Sequence, residues 1–139
     1  LKRYKRIFIA GCGSCAKQCK TGGEDEVLAA KKWLEKNDKE VTGWTVPEET
    51  CNVSLVRREF REHKEELKKA EAVLVMACGA GVASVQQAWN LRVYPALNTV
   101  SLSDTLRIGN FEGKCSLCGD CVLGETAGIC PVTLCPKGM

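Results

Sequence analysis

Ten of the 139 residues are cysteines, and their types and spacing are where this chain could do chemistry. They fall into two sets: Cys12, Cys15, Cys19, Cys51 and Cys78, then Cys115, Cys118, Cys121, Cys130 and Cys135, with none at positions 79–114. An even number permits a disulfide framework. Such frameworks serve small secreted domains with poor cores. This chain is 45% hydrophobic and shows no export signal: basic Leu1 to Arg6 is followed only by Ile7 to Ala10 before glycine and cysteine. Closely spaced thiols such as Cys12-x2-Cys15 and Cys115-x2-Cys118-x2-Cys121 converge more readily on a metal. The single histidine, His63, lies on a charged helical stretch near the edge of its apolar stripe and reads as a solvated side chain. No Ser/His/Asp set and no paired carboxylates are visible, which argues against self-contained hydrolysis.

Alternating strands and helices must position these thiols. Residues 6–11 read as a short buried strand entering a loop. Glu24, Asp25 and Glu26 open a helix whose later part carries Lys31, Lys32, Lys36 and Lys39, an order that complements the helix dipole. Val27, Ala30 and Leu34 give it an apolar stripe. A second strand spans 40–46 and ends at Pro47; Asn52 can cap a helix running to about Lys69, with Val56, Phe60 and Leu67 on one face. Residues 72–77 form a third strand, Gly79 and Gly81 lead into a helix through about Trp89, and 92–97 form a fourth strand, with Pro95 suggesting a sheet edge. The expected fold is α/β: an open parallel sheet covered by helices, residues 1–109, followed by a small Cys-rich iron–sulfur appendage, residues 110–139.

In such a sheet, ligands sit outside the carboxyl ends of the strands, near the switch in strand order. Cys12 lies just past the first strand, Cys78 just past the third, and Cys51 in the loop after the second, so cysteines far apart in sequence would meet at one edge. An iron–sulfur cluster held by four thiolates is anionic, and helix N-termini and backbone N–H groups stabilise such charge. Lys17 and Lys20 add positive charge nearby. Cys12, Cys15 and Cys78 are the leading ligands for one [4Fe–4S] cluster, with Cys19 and Cys51 competing for the last position. The alternatives are a thioredoxin-like thiol–disulfide pair at Cys12 and Cys15, structural zinc, and Cys51 as a buried small hydrophobe. Gly79-Ala-Gly81 lacks the full glycine pattern and the lysine of a phosphate loop, and reads as a turn beside Cys78.

Cys115-Ser-Leu-Cys118-Gly-Asp-Cys121 has the triple spacing of bacterial ferredoxins, in which a fourth cysteine precedes proline. Here Cys130-Pro131 and Cys135-Pro136 both follow, later than in ferredoxins, so the fourth ligand of a second [4Fe–4S] cluster is ambiguous between them. Structural zinc is the alternative at this second site.

Other function classes fall away on composition. A net charge of +3 and 6% aromatics give no nucleic-acid footprint. No apolar run reaches the roughly 18 residues that a membrane span needs. The chain begins without Met and stops at Met139 shortly after Cys135, so flanking segments are expected.

Several runs carry a resemblance: Gly11-Cys-Gly-Ser-Cys-Ala, Lys20-Thr-Gly-Gly-Glu, Gly43-Trp-Thr-Val, Ala77-Cys-Gly-Ala-Gly-Val, Tyr94-Pro-Ala-Leu-Asn-Thr and Cys115-Ser-Leu-Cys-Gly-Asp-Cys-Val-Leu-Gly-Glu-Thr. Across nearly its whole length the chain resembles the MetV-type iron–sulfur small subunits of methylenetetrahydrofolate reductase, also described as a methylenetetrahydrofolate reductase C-terminal domain family. The resemblance implies a cytoplasmic electron-transfer subunit of the acetogenic one-carbon pathway in an anaerobe. Its partner would be a MetF-type barrel that binds FMN and the folate and reduces methylene- to methyltetrahydrofolate, with further electron-donor subunits in some complexes. FMN would sit only in that partner, and no catalysis is expected of this chain alone. The family continues past residue 139 with a further Gly- and Cys-containing stretch, which bears on the ligand set of the second site.

Overall fold

The computed structural model describes residues 1–99, 102–107, 110–119 and 121–133. The chain divides into two compact units, Leu1–Thr99 and Val100–Met139. Cys135, a candidate ligand, lies outside the described residues.

The first unit is built on four parallel strands: β1 (Arg6–Ala10), β2 (Glu40–Thr45), β3 (Ala72–Val75) and β4 (Arg92–Pro95), in the order β2-β1-β3-β4. Ile7, Phe8, Ile9 and Ala10 are all fully buried, the unbroken apolar run expected of a strand covered on both faces. Phe8, Ala10, Val73 and Val75 belong to one core, with Val56, Phe60, Leu67 and Val85. Ile7, Ile9, Leu74 and Met76 belong to the other, with Val27 and Leu34.

The two cores follow from topology. The connection from β1 to β2 steps one way along the sheet; those from β2 to β3 and from β3 to β4 step the other way. Right-handed crossovers then put their helices on opposite faces. Accordingly α2 (Glu24–Lys36) covers one face, while α3 (Val53–Glu62), α4 (Lys64–Lys69) and α5 (Gly79–Ala88) supply the second core. A four-residue helix, α1 (Cys15–Gln18), fills part of what reads in sequence as a loop. Pro95 does end an edge strand.

The α2 helix starts as its charges suggest: the Gly23 backbone N–H donates to Glu26 Oε2 at 2.9 Å, and the first turn is acidic. Asn52 caps α3, its Oδ1 accepting from the N–H groups of Ser54 and Leu55 at 3.1 and 3.3 Å. Asn52→Ala should therefore cost about 1 kcal/mol, read as a lowered denaturation midpoint with unchanged slope.

The single helix expected from Asn52 to about Lys69 is broken at His63, where φ is −99° and ψ 23°. No glycine or proline marks the break. It falls where the His63 ring packs 5.8 Å from that of Phe8, with Nδ1 3.6 Å from Glu66 Oε1. His63 is thus half-buried against the core rather than a solvated side chain.

In the second unit, β5 (Leu102–Arg107) and β6 (Asn110–Cys115) pair antiparallel. The sequence gives no alternation strong enough to announce this hairpin. Turns follow through residues 123–128.

Candidate metal centres

The strand order reverses between β1 and β3, and both strands end in a cysteine-bearing loop. After Ala10 the chain runs Gly11-Cys12; after Val75 it runs Met76-Ala77-Cys78. Ala10 and Val75 are register partners, so Cys12 and Cys78 leave the sheet side by side at its carboxyl edge. This is the crevice where open α/β sheets place their ligands.

Backbone hydrogen bonds fix the edge. Gly11 N donates to Thr45 O, Cys12 N to Gly22 O and Gly13 N to Pro47 O, each at 2.8 Å. The loop carrying Cys51 is held against β1 by Thr50, a fully buried residue whose hydroxyl donates to Gly11 O at 2.6 Å. The Ser84 hydroxyl, on α5, donates to Cys51 O at 3.0 Å. Cys51 is therefore clamped between the end of β1 and α5. It is exposed, so the reading of it as a buried small hydrophobe does not hold.

These placements mark the thiol chemistry. Burial pushes the Cys12 thiol up, but N–H groups of Thr50, Ser14 and Ala16 and the Thr50 hydroxyl outweigh it, and Cys12 ends below its ordinary value. Burial raises Cys51, and the neighbouring Cys78 thiol and then Cys12 raise it further. Burial and then Cys15 raise Cys19. Cys51 thus senses Cys78 and Cys12, and Cys19 senses Cys15. The N-terminal end of α1 is the end that points N–H groups at Cys12. Cys15 is the first residue of that helix and Cys19 caps its far end. All five are free thiols.

Among the described residues no three Cys, His, Asp or Glu side chains stand close enough to hold a single metal ion. A cubane spreads its four thiolates over four irons, so its ligands stand farther apart than those of one ion.

In the second unit, β6 ends on Cys115. The chain then turns so that Leu117 N lies 3.3 Å from Cys115 Sγ. Leu117 (φ 56°) and Gly119 (φ 84°) adopt the left-handed region in this loop. Thr133 N lies 3.4 Å from Cys130 Sγ, and the Thr133 hydroxyl 3.5 Å from it. The hydroxyl first, then that N–H, hold the Cys130 thiol below its ordinary value. The Ser116 and Thr133 hydroxyls lie 3.1 Å apart. Cys115, Cys118 and Cys121 are exposed and Cys130 half-buried.

Sequence reasoning missed Thr50 and Thr133. The available signal was a hydroxyl residue one or three positions from a candidate thiolate, too common a pattern to single out alone.

Residues 94–139, the last 46 of the chain, are similar to the family described as "Methylene-tetrahydrofolate reductase C terminal". No curated protein and no solved structure matches the chain. No helix among the described residues is long and apolar enough to cross a membrane.

Proposed function

We propose that this chain is an electron-transfer iron–sulfur subunit of a methylenetetrahydrofolate reductase complex, working in the cytoplasm beside a flavin-bearing MetF-type partner. The observation that carries the reading is the similarity of residues 94–139 to the C-terminal family of that reductase, over the stretch that holds the second cysteine set. The thiols gathered at the sheet edge support it from the other unit.

Two [4Fe–4S] clusters would supply one-electron transfer. In the first unit Cys12, Cys51 and Cys78 would hold one cluster, with Cys15 as the fourth thiolate, because Cys15 lies at the end of α1 that faces Cys12. The N–H groups of Thr50, Ser14 and Ala16 stabilise thiolate charge at Cys12, and Thr50 keeps the Cys51 loop in place. In the second unit Cys115, Cys118 and Cys121 would hold the other cluster, with one further thiolate. Reduction of the folate would fall to the partner.

Anaerobically purified chain should contain iron and acid-labile sulfide, each approaching about eight atoms per chain, with broad visible absorption. Stoichiometric zinc without iron would defeat the cluster reading. The chain alone, free of flavin, should not turn over methylenetetrahydrofolate with an artificial reductant. The flavin partner should accept electrons from its natural protein donor only when this chain is present. Equal electron transfer without it would rule out the carrier role.

A further inference from the structure

The two edges of the first unit's sheet differ. β4 is four residues long and ends in Pro95, and a short edge with a proline discourages further pairing. β2, the other edge, is six residues long and holds neither proline nor lysine. An edge strand leaves a row of N–H and C=O groups unpaired. A groove of about 550 Å³ lies along β2. It is lined by residues 41–46, by Glu24 and Lys31 of α2 on one face of the sheet, and by His63 and Glu66 on the other. Gly43 shapes it: a Cβ there would come within 2.9 Å of Glu66 Cβ, so glycine lets the Glu66 stem lie against the strand. The β1–β2 register skips Thr42, whose water-shielded hydroxyl has no hydrogen-bond partner among the described residues. Hydrogen-bonding capacity is thus left over along this edge.

We infer that this groove takes an extended segment of the flavin-bearing partner, added to the sheet as a strand beside β2. The inference rests on the subunit reading. The occupant is one strand thick for a steric reason. Paired strands lie about 4.8 Å apart, whereas a helix is about 10 Å across. α2 packs more on β2 than on β1, and its side chains reach the groove outside the edge. Two copies of this chain meeting edge to edge would drive their α2 helices into each other. Charge sets the chemistry of the segment. Glu24 and Glu66 bring two carboxylates to the groove, and Lys31, the one lysine in its lining, is engaged by Glu35 at 3.9 Å. Side chains of an added strand alternate between the two faces. A lysine or arginine on either face then meets a carboxylate, Glu24 on one and Glu66 on the other. Main-chain pairing supplies the affinity and these basic side chains the selectivity.

The test is amide hydrogen exchange on the full chain, alone and in its complex with the flavin-bearing partner. Exchange over residues 41–46 should slow by roughly tenfold or more in the complex, as the outward N–H groups of β2 gain partners. A stable complex with unchanged exchange over 41–46 overturns this inference and leaves the subunit reading standing. Absence of any complex defeats the subunit reading and this inference with it. Protection that appears in the isolated chain and grows with its own concentration assigns the edge to a second copy and overturns the partner assignment. Glu66→Lys should weaken the complex roughly tenfold by setting like charges against each other. Glu65→Lys is the control, because Glu65 lies outside the groove and pairs with Lys68 at 2.8 Å. Equal affinities for the two variants overturn the basic character assigned to the segment.

Discussion

Cys78→Ser is expected to lose about half of the bound iron and one of two cluster spectra, while the helical signal of the fold persists. Two features make this a clean loss. Cys78 is the N-cap of α5, where its own side chain makes no capping hydrogen bond, and serine is among the residues preferred there. The substitution therefore removes a thiolate without weakening the helix. Cys78 also stands at the point where the strand order reverses, next to Cys12, with Cys51 near enough for its charge to be felt. Cys51→Ser should behave alike, because Thr50 and Ser84 hold that loop whatever residue 51 is. Cys19→Ser should retain full iron, since Cys19 lies at the far end of α1 and senses only Cys15. Intact iron and both spectra in Cys78→Ser would sink the convergence of strand ends as the basis of the first site.

The parallel sheet was legible because its strands are short apolar runs separated by helices with clear polar faces. Phe8 and Ile9 both being buried is what a run without alternation says. The charge order of α2 and the cap at Asn52 were legible for the same local reason. What escaped depends on tertiary contacts. The α3/α4 break has no breaker residue; it lies where His63 meets Phe8, 55 positions away in sequence. The β5/β6 hairpin escaped because its strands, Leu-Ser-Asp-Thr-Leu-Arg and Asn-Phe-Glu-Gly-Lys-Cys, are mostly polar.

The candidate site was legible as a set of residue types and less so as a set of neighbours. That Cys12 and Cys78 lie past strand ends was legible from the alternation, but their emerging together depends on β1 pairing with β3, an order the sequence did not announce. Cys51 was expected in the loop after the second strand; what the sequence did not announce is the anchor of that loop, a hydroxyl-to-carbonyl hydrogen bond 39 residues apart in sequence, Thr50 to Gly11. Cys15 and Cys19 were both placed in the loop after the first strand, whereas a four-residue helix puts them at its opposite ends and gives them different surroundings.

Gly22→Ala should destabilise the chain by about 3 kcal/mol or more, at the upper end of what overpacking costs. Gly22 threads between two fixed pieces of backbone. Its carbonyl accepts from Cys12 N at 2.8 Å, and its N–H donates to Ala16 O at 3.2 Å. A Cβ there would overlap the Met76 carbonyl oxygen and stand 2.9 Å from Ala16 Cβ. Met76 has no freedom to retreat, because its own N–H donates to Ala10 O at 2.8 Å as the extension of β3 along β1. The clash is with backbone, so no rotamer change relieves it, and relief must come by moving the Gly22 loop. That movement would pull the acceptor away from Cys12 N, so the loss of stability should come with loss of iron from the first site alone. Gly79→Ala is the matched control. Gly79 also adjoins a candidate ligand, but an added Cβ would find only Thr99 Oγ1, at 3.9 Å. As the first residue of α5 it should be neutral or gain a few tenths of a kcal/mol from helix propensity. Denaturant melts of the two variants beside the parent chain decide the matter. Equal midpoints for Gly22→Ala and Gly79→Ala would show that the loop after α1 is not pinned between Cys12 and Met76.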